Sequence, residues 1–111
     1  MSQLPNARNA VILDEKMSQY LLNLKHPDGG SKAVFFINMG FHKGNLTEFR
    51  KALHQIAIEN DVTSIIENAY GIKYIVEGFL KTKRDFEPFI RTVWIIENNQ
   101  KTPFLITAYP I

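Results

Sequence analysis

Two rhythms of apolar residues divide the chain. From residue 14 to residue 60 they recur at spacings of three and four, and from residue 62 to residue 109 they alternate. The first period is that of a helix face and the second that of a strand face. Three helices are expected in the first half. One runs from Asp14, read as its cap, to near Asn23, with Met17, Tyr20, Leu21 and Leu24 on its apolar face. Pro27 and Gly29-Gly30 then impose a loop. Ser31 is the expected cap of a second helix carrying Ala33, Phe36 and Ile37, with Gly40 as its closing glycine. A third begins at Asn45 or Leu46, has Glu48 placed for an Asn variant of the capping box, and ends at Asn60-Asp61. Its stripe is Leu46, Phe49, Ala52, Leu53, Ile56 and Ala57. The run Ala10-Val11-Ile12-Leu13 before the helices reads as extended.

The second half predicts four strands, over 62–67, 72–80, 89–97 and 104–109. Tight turns are expected at Asn68-Ala69-Tyr70-Gly71 and at Asn98-Asn99-Gln100-Lys101, with a polar loop over 81–88. Strands joined in this way pair antiparallel. The fold class is therefore α+β: two layers, about three N-terminal helices packed on a four-stranded antiparallel meander, in a single domain over 1–111. In the third strand both alternating sets, Arg91/Val93/Ile95 and Thr92/Trp94/Ile96, contain large apolar groups. A sheet covered on both sides, for instance in a homodimer, fits that pattern.

Composition narrows the picture. An apolar fraction of 45% against 22% charged residues is that of a folded globule. The chain has no cysteine, which excludes disulfides, thiolate zinc sites and a cysteine nucleophile, and fits a cytoplasmic location. No apolar run reaches the ~18 residues of a membrane span, and residues 1–16 do not read as a signal peptide. The net charge of +2 permits contact with RNA without demanding it. The three histidines, His26, His42 and His54, are too far apart for a metal-ligand motif. Neither a metal nor a cofactor is expected.

Two sets of residues carry a family resemblance. One is Lys25-His26-Pro27, Gly30, Lys32-Ala33, Phe36 and Gly40-Phe41. The other is Arg91-Thr92-Val93-Trp94 with Thr107-Ala108-Tyr109-Pro110. Over Leu4 to Pro110 the chain resembles a bacterial family catalogued as domain of unknown function 6883. The resemblance implies a setting beside toxin–antitoxin or phage-associated genes, and with it a small antitoxin-like partner. The element order is also similar to that of the barnase–EndoU–colicin–RelE ribonuclease superfamily, a likeness of fold that does not fix function.

Metal-independent RNA cleavage needs a proton acceptor, a proton donor and cations around phosphorus. His26, in the Pro/Gly loop before a helix start, is the acid–base candidate, where free backbone N–H groups would also favour phosphate. The plainer role for it is ordering that loop. Lys32, a cation in the first turn of a helix, needs a compensating anion. Arg91 lies in an apolar strand and suits phosphate, or else forms a salt bridge to Glu77. Thr107 and Tyr109 share a face of the last strand, read as the face of Leu105, and their hydroxyls could assist Arg91. Thr92 is a weaker candidate of the same kind. Trp94 reads as core, His54 as a surface residue, and His42 receives no role. The leading expectation is a toxin-like ribonuclease using His26, Lys32, Arg91, Thr107 and Tyr109. The rival is a non-enzymatic protein-interaction or nucleic-acid-binding module, in which the same residues are structural.

Overall fold

The computed structural model describes residues 2–111. Helices come first and a meander second, as the change of period predicts. The first helix, α1 (Asp14–Lys16), runs on as a π-helical turn over Met17–Leu21. It is followed by α2 (Gly30–Asn38), α3 (Leu46–Glu59), β1 (Val62–Asn68), β2 (Gly71–Phe79), β3 (Phe89–Glu97) and β4 (Phe104–Pro110). The strands form one antiparallel sheet in the order β1-β2-β3-β4.

The apolar stripe of α3 explains its place. Phe49, Ala52, Leu53, Ile56 and Ala57 are all buried, and they meet the sheet face of Val76, Ile90, Trp94 and Ala108. Removing these side chains from water is the main driving force for the two-layer arrangement. Thr92 and Trp94 lie on this inner face and are fully buried. The indole N–H of Trp94 donates to Thr92 Oγ1 at 2.8 Å, and the Thr92 hydroxyl donates to the Val76 carbonyl at 2.7 Å. Thr92 is thus a core linker and not a candidate for binding phosphate.

Local details differ from the pattern in several places. Asp14 is not the cap of α1: Leu13 holds that position, and the Asp14 carboxylate pairs with Arg50 of α3. The helix ends at Leu21, so Leu24 lies beyond it and is 60% exposed. Gly29 and not Ser31 precedes α2. Gly40, at φ 101°, stops α2 as expected, because a side chain is disfavoured there. Asn45 makes no side-chain cap to α3 and accepts instead from the backbone N–H of His42 at 2.8 Å. His42 Nδ1 accepts from Gly44 N, so this histidine orders the turn before α3. His54 is half-buried, not a free surface group, with Nε2 2.6 Å from the Ala7 carbonyl oxygen. Gly71 is needed for space: a Cβ there would lie 2.3 Å from the Ile96 carbonyl oxygen.

The N-terminal segment closes both outer strands. Val62 N donates to Ser2 O beside β1. Val11 forms a parallel bridge with Phe104, donating to Pro103 O and accepting from Leu105 N. The expected extended run is therefore a short strap on the β4 edge.

Candidate functional site

The face of the sheet turned away from α3 is built in rows, fixed by the register. Phe79 pairs with Phe89. The next row is Glu77, Arg91 and Tyr109. After it come Ile75, Val93 and Thr107, then Lys73, Ile95 and Phe104. Paired residues of adjacent strands point to the same face. The register of β4 shifts between Leu105 and Thr107, so that Ile106 is an extra residue, a β-bulge. That bulge corrects one expectation: Leu105 points into the core opposite Trp94, while Thr107 and Tyr109 point outward.

The start of α2 and the π-helical turn reach this outer face at β4. Tyr20 and Thr107 share a hydrogen bond of 3.0 Å between their hydroxyls. Lys32 Nζ lies 5.4 Å from the ring centre of Tyr20 and 6.0 Å from that of Tyr109. The Arg91 guanidinium carbon lies 5.8 Å from the Tyr109 ring centre. Cations over tyrosine faces at these distances attract by about 0.5–1 kcal/mol each where water has access. Tyr20, Ser31, Lys32, Thr107, Tyr109 and Pro110 line an open pocket of about 450 Å³. Lys32, Thr107 and Tyr109 are thus brought together across most of the chain, with Arg91 stacked against the last of them.

Two neighbours limit what these groups can do. Arg91 Nε donates to Glu77 Oε2 at 2.6 Å, and the carboxylate is the more sheltered partner. Tyr109 first, and Glu77 second, push the guanidinium pKa up, so Arg91 is a fixed cation. Its remaining N–H groups are free of Glu77 in a planar fork that can take two phosphate oxygens. Lys32 is compensated by the Asp28 carbonyl, 3.1 Å from Nζ, and by two π-faces, with no carboxylate among its partners.

His26 stands one ring behind the pocket, edge-on to Tyr20 with centroids 4.9 Å apart. Its Nδ1 accepts from the backbone N–H groups of Asp28 and Gly29, both at 3.0 Å. Gly30 N donates to the His26 carbonyl. These three N–H groups are therefore engaged within the loop and not available to phosphate. An Nδ1 that accepts places the ring proton on Nε2. Held this way, the ring offers an N–H donor at Nε2, while its Nδ1 lone pair is engaged by the turn. Glu77 and Tyr20 are the site members that residue patterns missed. Glu77 was visible only as a partner for Arg91, and Tyr20 only as part of a helix stripe.

A second pocket of about 510 Å³ lies between α3 and the segment after β2, lined by Glu48, Lys51, Lys81 and Lys83 among others. None of the candidate residues reaches it. Among the described residues, no cluster of three His, Asp or Glu side chains is placed to hold a metal ion, and no helix is long and apolar enough to cross a membrane.

Fold and site define a class: an α+β domain with a cationic, tyrosine-lined cleft where the first helices meet the last strand of an antiparallel meander. The chain belongs to the family described as domain of unknown function (DUF6883), which it matches over residues 3–111. No curated protein matches it. Its fold is shared with a chain of the contact-dependent growth inhibition toxin–immunity protein complex from Klebsiella pneumoniae 342. The TM-score is 0.73 at 15% identity, over 94% of this chain and 95% of that one.

Proposed function

We propose that residues 1–111 act as one toxin-like unit that cleaves RNA phosphodiester bonds, with the cleft at Lys32, Arg91, Thr107 and Tyr109 as its site. What supports this reading most is the convergence of Lys32 from the first half of the chain with Thr107 and Tyr109 from its last strand on one open pocket, with Arg91 beside the Tyr109 ring. Lys32 and Arg91 bind the phosphate and stabilise the charge that grows as the ribose 2′-oxygen attacks phosphorus. The Glu77 carboxylate, beside Arg91, receives the 2′-hydroxyl proton. The Tyr109 hydroxyl supplies a proton to the departing 5′-oxygen, and Thr107 holds a phosphate oxygen. The products are a 2′,3′-cyclic phosphate and a 5′-hydroxyl. His26 serves by holding the loop and Tyr20 in place. RNA as substrate puts the site of action in a cytoplasm, and a small antitoxin-like protein would restrain the domain in the cell that makes it.

A second reading has its own support: Arg91 is already neutralised by Glu77, and His26 Nδ1 is used up in a turn. On this reading the domain is a non-enzymatic interaction module, one half of a protein pair or a homodimer. The deciding experiment expresses the wild type and Arg91→Ala/Tyr109→Phe in a bacterial host and scores growth and RNA integrity. Purified protein is assayed on total RNA in parallel. Growth arrest with RNA fragments ending in cyclic phosphate, absent in a folded double variant, supports the nuclease. Intact RNA in both assays with wild type supports the interaction module.

A further inference from the structure

We propose that the Phe79–Phe89 pair is a nucleobase platform that receives one base of an unpaired RNA segment whose phosphate lies on Arg91 and Lys32. This rests on the ribonuclease reading and extends it to the kind of RNA the site accepts.

Phe79 is 63% exposed and Phe89 39%, although they occupy the two central strands of the sheet. They do not serve the core, which lies on the other face. Their ring centroids are 5.0 Å apart at an interplanar angle of 66°. An edge-to-face pair fixes both rings without laying one face over the other, so a ring face remains for a third π-system. The register places this pair one row from Glu77–Arg91–Tyr109 on the same face. One row is two residues along a strand, about 6.6 Å, a separation that a single nucleotide bridges from phosphate to base.

In the neighbouring row Glu77 balances Arg91, and Lys32, beside Tyr109, adds a cation with no carboxylate among its partners; this surplus of positive charge favours RNA over a protein. Arg91 and Lys32 supply cations for the backbone, and stacking on aromatic faces supplies the sequence-tolerant part of single-strand binding. A dry protein interface over the phenylalanines would also have to desolvate the adjacent Arg91–Glu77 pair, which is unfavourable unless every hydrogen bond is replaced. A base-paired helix does not fit either, because its bases are stacked inside and cannot lie on a flat sheet.

The test uses a short fluorescent oligoribonucleotide with a 2′-O-methyl backbone, which binds without being cut, and the same strand with abasic positions. Fluorescence anisotropy is measured with the intact chain as wild type, Phe79→Leu/Phe89→Leu and Phe79→Tyr/Phe89→Tyr. Leucine keeps an apolar surface and removes the π-face; both positions are exposed, so folding is preserved and is checked by thermal melting. The platform predicts at least about five-fold weaker binding for the leucine variant and recovery with tyrosine. The leucine variant should also lose its preference for the strand with bases over the abasic one. Equal binding by wild type and the leucine variant overturns the platform, while cleavage of unmodified RNA by wild type would leave the nuclease reading standing. A wild type that binds no strand and cuts no RNA overturns both. Self-association by sedimentation that Phe79→Glu abolishes also overturns the platform, assigning the face to a second copy.

Discussion

Replacing Thr92 by valine isolates one polar link in an otherwise apolar core. Valine matches threonine in shape and β-branching, so packing and strand preference hardly change. What changes is hydrogen bonding. The Trp94 indole N–H loses its acceptor at 2.8 Å, and the bond from the Thr92 hydroxyl to Val76 O at 2.7 Å disappears. Both residues are fully buried, so water does not replace either partner. An orphaned buried donor costs about 1–3 kcal/mol and a lost neutral bond about 1 kcal/mol. A loss of about 2–3 kcal/mol is expected, which for a domain of this size lowers the melting temperature by roughly 10 °C. Urea unfolding followed by circular dichroism measures it in the wild type, Thr92→Val, Trp94→Phe and the double variant. Because Phe has no N–H to orphan, Thr92→Val should be milder by about 1 kcal/mol or more in the Trp94→Phe background. An unchanged midpoint, or strictly additive effects, would refute the link.

Four other outcomes are expected. On the proposed nuclease reading, Arg91→Ala should lower RNA cleavage by about a hundred-fold or more at unchanged folding, read from initial rates, because it would remove a fixed cation from the phosphate site. Gly71→Ala should destabilise by about 1–3 kcal/mol in thermal melts, since its Cβ would collide with the Ile96 carbonyl. His26→Ala should lose about 1 kcal/mol of stability and His26→Asn most of it recover, because the Asn side chain can accept from the same two N–H groups; equal loss in both would remove the turn role. Glu48 has its pKa lowered, chiefly by the hydrogen bond from Lys83. Its folded value lies below the unfolded one, so its stabilisation is present at neutral pH and is lost as pH falls through the folded value. Melting temperatures of the wild type and Glu48→Gln should therefore differ at pH 7 and converge in acid.

The meander and the buried stripe of α3 were legible because period two and period 3.6 are properties of consecutive residues. Arg91, Lys32, Thr107 and Tyr109 could be named for their chemistry. That they meet could not, since α2 touches β4 only through the tertiary fold. The helix caps at Asp14 and Ser31 were misplaced because a capping residue is defined by backbone angles, and competing partners such as Arg50 can claim the same side chain. The side of Leu105 was misread for a different reason. A bulge breaks strict alternation, and Ile106 looks like any other strand residue until its partner strand is seen. His26 shows the limit for chemistry: a loop position suggested a titrating group, but two backbone donors decide which nitrogen is free.

The strap at Val11 ties the order of synthesis to the completion of the fold. Val11 lies before α1, whereas its partners Pro103 and Leu105 lie after β3 and are joined later. Tyr20 and Lys32 likewise wait for Thr107 and Tyr109. A nascent chain that has exposed α1 to α3 and even the β2–β3 hairpin still lacks the strand that closes the inner face and supplies half of the cleft. The cleft therefore cannot assemble on a partial chain. For a domain whose activity would harm its own host, long-range closure of this kind delays that activity until β4 has left the ribosome.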